Sequence, residues 1–132
     1  NYLSPNLNEF GNLFGEFNID RINFKIENPE YQKYNSIILK RGDKGNVLIN
    51  VKNRKIKIFN AIQMDAVEPN GAGDAFNAGF LYGLMNSYEE YDSVYLGICA
   101  AYYTLKSVHS VSEKLTEENL IQLFNRKTSN EF

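Results

Sequence analysis

The chain has 132 residues, of which 43% are hydrophobic and 23% charged, the composition of one globular domain with an ordinary core. Its net charge of −2, without a long run of Lys or Arg, gives no reason to expect a nucleic-acid partner. Because Cys99 is the only cysteine, an internal disulfide and a Cys-based zinc site are excluded. No apolar run approaches the ~18 residues of a membrane span, so we expect a cytoplasmic protein that does not contact membranes.

Residues 1–35 predict a strand end, a turn and one clear helix. Asn6, just after a Ser-Pro turn, is a suitable N-cap, and Glu9 stands three residues further on, as in a capping box. The helix should close at Gly15. The stretch that follows has only weak helical periodicity, which Pro29 interrupts.

Three β-strands are predicted next. Residues 36–40 (SIILK) form a short apolar run that suits a buried parallel strand, and residues 41–45 (RGDKG) turn the chain. Residues 46–51 and 55–62 alternate apolar and polar around a KNR turn, which predicts a β-hairpin.

Three helices are predicted in the second half. After a glycine-rich loop, Phe76, Phe80 and Leu84 recur at helical spacing; a second helix covers 88–106, and a third starts near Thr116, whose side chain could cap it. The first of these helices should present a face of small residues: Ala75, Ala78, Gly79 and Gly83. The second should present an apolar stripe: Val94, Ile98, Ala101 and Leu105. This order of elements indicates part of an α/β sandwich.

The glycine-rich loop ends in Gly71-Ala72-Gly73-Asp74, directly before a helix. The first N–H groups of a helix have no partners within it, and the helix dipole adds partial positive charge there. Glycines let such N–H groups approach one anion, so a phosphate could bind at this turn. Asp74 beside that phosphate suits a base that takes a proton from an alcohol, which is the arrangement that phosphoryl transfer requires.

The same residues also have a purely structural interpretation. An aspartate in a first helical turn is favourable for dipole reasons alone, and Gly-Ala-Gly can simply be a turn. The loop is not a dinucleotide-binding fingerprint, because Phe76 stands where that motif has its third glycine or alanine. No Gly-Lys-Ser/Thr occurs, so there is no Walker A motif.

Four segments in the right order resemble the ribokinase (PfkB-type) family of carbohydrate kinases. NGAGDAFNAGF is similar to the C-terminal signature of that family, and SPNLNEF resembles its Pro-Asn-x-x-Glu segment. IILKRGDKGNVLI resembles its nucleotide-binding strand and loop, and GICAAYYTLKS its Ala-rich helix beside the adenine. The resemblance implies a ribokinase-like three-layer α/β/α sandwich. Since members are more than twice this length, residues 1–132 would be its C-terminal, nucleotide-binding part, without the N-terminal sugar-binding half.

The resemblance also implies an activity: ATP-dependent phosphotransfer to a hydroxyl of a sugar or nucleoside. Asp74 would be the catalytic base, beside an anion hole formed by the backbone of Gly71, Ala72 and Gly73. SVHSVSEKLT resembles a segment of pseudouridine kinases, which favours pseudouridine as the small-molecule substrate. The full-length protein would be a homodimer. His109 and Cys99 are assigned structural roles.

Nucleotide and metal contacts are implied in the same way. ATP would be bound by Asn6, Lys40, Gly42, Gly45 and Ile98. Glu9 would hold Mg²⁺ through water, although Asn6 and Glu9 could also serve only as a capping box, and the turn at 40–45 could be an ordinary one. Where the family has Asp-Thr-x, this chain has Glu68-Pro69-Asn70, so Glu68 and Asn70 are the remaining candidates for a K⁺ site.

Two other functions remain open from the sequence. The chain could be a non-catalytic nucleotide-binding fragment that acts through a partner. It could also belong to another ribokinase-like enzyme, such as a vitamin-precursor kinase or a nicotinamide-hydrate dehydratase. The continuation from Phe76 to Gly79 and the hairpin favour the sugar kinases.

Overall fold

The computed structural model describes residues 1–61, 72–109 and 117–130, with side chains omitted at 105–109 and 126–130. The chain divides into two units, Asn1–Ala61 and Ile62–Phe132. No helix within the described ranges is long and apolar enough to cross a membrane.

The first unit is built on a four-stranded sheet in the order β1-β2-β3-β4. Its strands are β1 (Tyr2–Leu3), β2 (Ser36–Lys40), β3 (Asn46–Asn50) and β4 (Lys55–Phe59). β1 runs parallel to β2, whereas β2, β3 and β4 pair antiparallel. The predicted strand at 36–40 and the predicted hairpin are confirmed, but β2 is parallel to only one of its two neighbours.

Three helices accompany this sheet. They are α1 (Leu7–Phe14), α2 (Ile22–Lys25) and α3 (Pro29–Gln32). Gly15 follows α1 with φ of 84°, as the predicted stop requires. The sequence predicted that Pro29 interrupts a helical stretch. Pro29 is instead the first residue of α3. Proline is well suited to the first position of a helix, because the N–H that it lacks would have no partner inside the helix.

The core of the first unit lies between one face of the sheet and these helices. Alternation along β2 and β3 directs Ile37, Leu39, Val47 and Ile49 to the same face. The buried members of this core are Phe10, Ile22, Ile26, Tyr31, Ile37, Leu39, Val47, Ile49 and Val51. Ile38 and Leu48, on the opposite face of the sheet, are buried as well, so β2 and β3 are apolar on both sides.

Tyr31 is buried in this core with a hydroxyl that no described residue hydrogen-bonds. Its ring stacks on Phe14 at 4.3 Å. Burial, with a smaller contribution from the charge of Glu30, raises the pKa of Tyr31 from 10.0 to about 12.

Tyr31→Phe should therefore leave the free energy of unfolding at pH 8 unchanged or slightly higher. In the wild-type protein, the tyrosine of the unfolded chain ionises from about pH 10 and that of the folded chain only near pH 12, so stability falls across that window. The variant should lose this part of the pH dependence in urea denaturation at pH 8 and pH 11. A loss of more than about 1 kcal/mol at pH 8 would show that the hydroxyl has a partner.

The second unit contains three helices: α4 (Ala72–Met85), α5 (Glu90–His109) and α6 (Glu117–Asn130). All three were predicted, but α5 begins two residues later than expected and ends three residues later. Thr116, the expected cap of α6, lies outside the described residues. Their shared core consists of Leu96, Cys99, Ala100, Leu120, Leu123 and Phe124. Tyr82 Oη donates to Glu117 Oε1 at 2.7 Å, and this hydrogen bond is the main reason that the pKa of Tyr82 is raised.

The predicted faces of α4 and α5 are confirmed in part. Phe76 and Phe80 are buried with Gly79 and Gly83, but Ala78, expected on the small-residue face, is exposed. On α5 the buried members of the stripe are Val94 and Ile98, and Ala101 is half-buried. The side chain of Leu105 is not among the described ones. Cys99 is fully buried, as its packing role predicts, whereas only the backbone of His109 is described.

Gly79→Ala should destabilise the second unit because α4 and α5 are in backbone contact at this residue. An added Cβ would lie 2.5 Å from the carbonyl oxygen of Leu96 and 2.9 Å from Cβ of Ala100. We expect a loss of about 1–3 kcal/mol in urea denaturation, since the helices must separate. Gly11→Ala is the matched control. Its Cβ would meet nothing within 4 Å, so it should stabilise α1 by about 1 kcal/mol. Two changes of the same sign would contradict this packing.

Candidate functional site

The segment that follows β1 meets the last residue of β2 at one end of the sheet. Asn6 forms an isolated parallel bridge with Lys40, and the Lys40 N–H donates to the carbonyl of Pro5 at 2.9 Å. Because β1 and β2 are parallel, their carboxyl ends lie at the same edge, where open α/β sheets bind ligands. Asn6, Glu9 and Lys40, which the sequence singled out separately, are thus brought together within the first unit.

Asn6 and Glu9 form the predicted capping box. Oδ1 of Asn6 accepts from the N–H of Glu9 at 2.8 Å, and Oε1 of Glu9 accepts from the N–H of Asn6 at 3.0 Å. Both residues are exposed. A carboxylate has acceptor capacity beyond one such bond, so capping does not exhaust Glu9, and it fits a Mg²⁺ ion approached through water.

The loop after β2 is a short 3₁₀ turn, Gly42–Lys44. Its first residue and the residue that follows it are both glycines with positive φ, which favours glycine. Gly42 has φ of 60° and Gly45 has φ of 81°. Arg41 holds the loop closed: its N–H donates to the carbonyl of Gly45 at 3.1 Å and its Nη2 to the carbonyl of Lys44 at 2.8 Å. Arg41 was not predicted from the sequence, because no local pattern distinguishes an arginine that closes a glycine turn from one whose side chain is only solvated.

The candidate base stands in the first turn of α4, in the second unit. Gly73 and Asp74 are exposed and Ala72 is half-buried. The first N–H groups of this 14-residue helix have no acceptor within it, which is the arrangement that receives an anion. Gly71 lies outside the described residues, as do both candidates for the K⁺ site, Glu68 and Asn70.

α5 packs closely against the start of α4. A Cβ on Gly97 would lie 2.8 Å from the carbonyl oxygen of Phe76 and 2.8 Å from its ring. Ile98, the residue expected beside the adenine, follows Gly97 directly and is only 7% exposed. Ile98 is thus the chain neighbour of the α5 residue that contacts Phe76, and little of its own surface is open.

Asn77 is a further polar residue near Asp74 that the sequence analysis missed. It lies three residues after Asp74 on α4, and its Oδ1 is buried without a hydrogen-bond donor among the described residues. A helical asparagine has no sequence pattern that distinguishes it from a solvated one, so only its burial identifies it.

Within residues 1–61, 72–109 and 117–130, no three His, Cys, Asp or Glu side chains lie close enough to hold a metal ion together. Mg²⁺ in phosphate-transfer sites is usually held by one or two carboxylates with phosphate oxygens and water. The single carboxylate of Glu9 fits such a site.

A sequence profile described as pfkB family carbohydrate kinase matches residues 1–116. The chain belongs to the pfkB family of carbohydrate kinases. It is 29% identical over 107 residues to a nucleoside kinase of Methanocaldococcus jannaschii, covering 81% of this chain and 33% of that protein. It is 28% identical over 106 residues to a ribokinase of Lactococcus lactis, covering 80% of this chain and 32% of that protein.

Among solved structures, the pfkB-family chain is similar to the ribokinase of Thermotoga maritima, with a TM-score of 0.72 and 29% identity. The match covers 95% of this chain and 42% of that ribokinase. The α/β, ribokinase-like fold that the sequence resemblance implied is confirmed. The chain spans about a third of the length of the curated relatives it matches.

Proposed function

We propose that the protein carrying this chain transfers a phosphoryl group from ATP to a hydroxyl of a sugar or nucleoside. The observation that carries the proposal is the family match over residues 1–116, which includes the exposed Asp74 at the start of α4. The unpartnered N–H groups at the start of a helix can bind a phosphate. An exposed carboxylate beside them can accept a proton from the hydroxyl that attacks it.

In the proposed reaction Asp74 accepts the proton of the acceptor hydroxyl. The hydroxyl oxygen then attacks the γ-phosphorus in line, the new P–O bond forms and the bond to the β-phosphate oxygen breaks, so that ADP leaves. The backbone N–H groups of Gly71, Ala72 and Gly73 donate hydrogen bonds to the oxygens on which negative charge develops. Asp74 is thus a general base, and the turn before it is an anion hole.

The ATP contacts that the resemblance implies are part of the proposal. Asn6, Lys40, Gly42 and Gly45 would contact the nucleotide, and their proximity at the carboxyl end of β1 and β2 supports this assignment. Gly42 has open space around it, since an added Cβ would meet nothing within 4 Å. Ile98 on α5 would border the adenine.

Two cations belong to the proposal. Mg²⁺ supplies positive charge to the phosphate oxygens when bound, and Glu9 would hold it through water. K⁺ would be held near Glu68 and Asn70.

The acceptor is a small molecule, either a sugar or a nucleoside. The relatives named above include both a nucleoside kinase and ribokinases. We propose pseudouridine as the first acceptor to test, from the segment around His109 that resembles pseudouridine kinases. The sugar-binding half would precede residues 1–132 in the full-length protein, which would form a homodimer.

A non-catalytic nucleotide-binding fragment is the second candidate. The observation that favours it is the replacement of the family's Asp-Thr-x by Glu68-Pro69-Asn70. A vitamin-precursor kinase is a weaker alternative, because the matched profile is that of carbohydrate kinases.

ATP turnover decides between these functions. The protein that contains this chain together with the remainder of the kinase domain would be assayed with pseudouridine, ribonucleosides, ribose and fructose phosphates. Turnover with one acceptor supports the kinase and identifies its substrate. Binding of ATP without turnover of any acceptor would favour the nucleotide-binding fragment.

A further inference from the structure

Arg41 directly follows β2, and its side chain is held by the loop that comes after it. Its Nη2 donates to the carbonyl of Lys44 at 2.8 Å, and its Nε donates to the carbonyl of Gly45 at 3.4 Å. A guanidinium has five N–H groups, and these hydrogen bonds use two of them, so three remain. Arg41 is only half-buried, so a ligand can still reach its side chain.

The charge of Arg41 is not balanced within this part of the fold. Among the described residues, no carboxylate forms an ion pair with it. Residues 40–45 carry three cations, at positions 40, 41 and 44, against the single carboxylate of Asp43. Closing a loop requires only a hydrogen-bond donor, which a neutral amide also provides, whereas a third cation raises the repulsion within the loop. An anion that binds beside Arg41 offsets this repulsion.

Arg41 also differs from the neighbouring lysine in being fixed. The side chain of Lys44 is exposed and makes no hydrogen bond or ion pair with a described residue. Arg41 is already ordered by its two bonds to the loop, so less side-chain freedom is lost when a ligand binds. Its planar fork matches two oxygens of one phosphate. The bridge between Asn6 and Lys40 lies one residue away, at the end of the sheet where the nucleotide is expected.

We propose that Arg41 is a phosphate-binding residue of the nucleotide site. The carbonyls of Lys44 and Gly45 orient its guanidinium, and its remaining N–H groups donate to oxygens of the triphosphate. The charge of Arg41 thereby contributes to affinity through the phosphates and not through the base. This inference rests on the proposed function, because it requires a nucleotide beside the loop that follows β2.

Three substitutions in the complete kinase separate the charge of Arg41 from its role in closing the loop. Arg41→Gln keeps an N–H donor for the loop carbonyls but removes the charge, whereas Arg41→Lys keeps the charge. Lys44→Gln is the matched control, since it removes an equal charge from the same loop at a side chain that no described residue holds. The Kd of ATP is measured by calorimetry with Mg²⁺. The Kd of inorganic triphosphate, which has no base, is measured by competition against ATP.

We expect Arg41→Gln to raise the Kd of ATP by at least about tenfold, the usual contribution of a hydrogen bond to a charged group. The Kd of inorganic triphosphate should rise by a similar factor. Arg41→Lys and Lys44→Gln should each stay within about threefold of the wild-type protein. Because salt screens the charge, the wild-type and Arg41→Gln values should converge as KCl is raised from ~50 to ~500 mM. All variants should retain the wild-type circular dichroism spectrum.

The inference is overturned if Arg41→Gln binds ATP as tightly as the wild-type protein. It is also overturned if Arg41→Lys loses as much affinity as Arg41→Gln, or if inorganic triphosphate binds equally well to the wild-type and Arg41→Gln proteins, since Arg41 would then only close the loop. In each of these cases, phosphorylation of an acceptor by the wild-type protein would still support the proposed kinase. A wild-type protein that binds no ATP would instead refute the proposed function, and the role of Arg41 with it.

Discussion

Asp74→Asn in the complete kinase should reduce ATP-dependent phosphorylation by about 10²–10⁴-fold, the usual contribution of a general base. Asparagine keeps the size and polarity of the side chain but cannot accept the hydroxyl proton at neutral pH. ATP binding, measured by calorimetry, should be retained or become slightly tighter, because a negative charge next to the phosphates is removed. The loss should therefore appear in kcat, while the dissociation constant for ATP changes little.

A matched control separates this role from a helix-terminal effect. Asp92 lies in the first turn of α5, as Asp74 lies in the first turn of α4. Asp92→Asn should cost a comparable ~0.3–1 kcal/mol of stability through the helix dipole, but it should leave turnover unchanged. If Asp74→Asn kept the wild-type rate, the purely structural interpretation of this aspartate would stand and the proposed base would be wrong.

Gly45→Ala should lower the free energy of unfolding of the first unit by about 3–4 kcal/mol, through two costs that add together. The φ of 81° at Gly45 is strained for any residue with a side chain. In addition, the new Cβ would overlap the backbone carbonyl oxygen of Phe59 and lie 3.0 Å from the N–H nitrogen of Ala61. Backbone atoms at the end of β4 cannot rotate away, so the loop or the strand must move.

Gly42→Ala is the control for this prediction, because it shares only the first cost. Gly42 has φ of 60°, but an added Cβ would meet nothing within 4 Å. We expect Gly42→Ala to cost about 1–2 kcal/mol in urea denaturation. Equal losses for the two variants would mean that the close approach of Phe59 to Gly45 is not a constraint on the folded protein.

The elements predicted best were those whose pattern is local. The bounds of β2 at 36–40 follow from one short apolar run between polar turns, and the capping box of Asn6 and Glu9 from a spacing of three residues. Both depend on neighbours in sequence, which a reader of the sequence can see. The stretch around Pro29 was less clear, because proline both breaks a helix and begins one, and only its position relative to the helix separates the two.

The candidate site was predicted residue by residue, but its arrangement was not. The resemblance pointed to Asn6 and Lys40 from separate motifs, and nothing in either motif shows that they pair at one end of a sheet. Arg41 and Asn77 were not selected at all, because closing a loop and burying an amide oxygen depend on contacts rather than on residue type.

The sequence alone determined most of the helical and strand segments, the family and the residue types of the proposed phosphate-transfer site, because each of these resides in short patterns along the chain. Tertiary structure decided what is buried. It set the glycine contact between α4 and α5, the enclosure of Ile98 and the exposure of Leu81 and Met85 on α4. Burial depends on residues far apart in sequence, so no local pattern distinguishes the covered face of α4 from the open one.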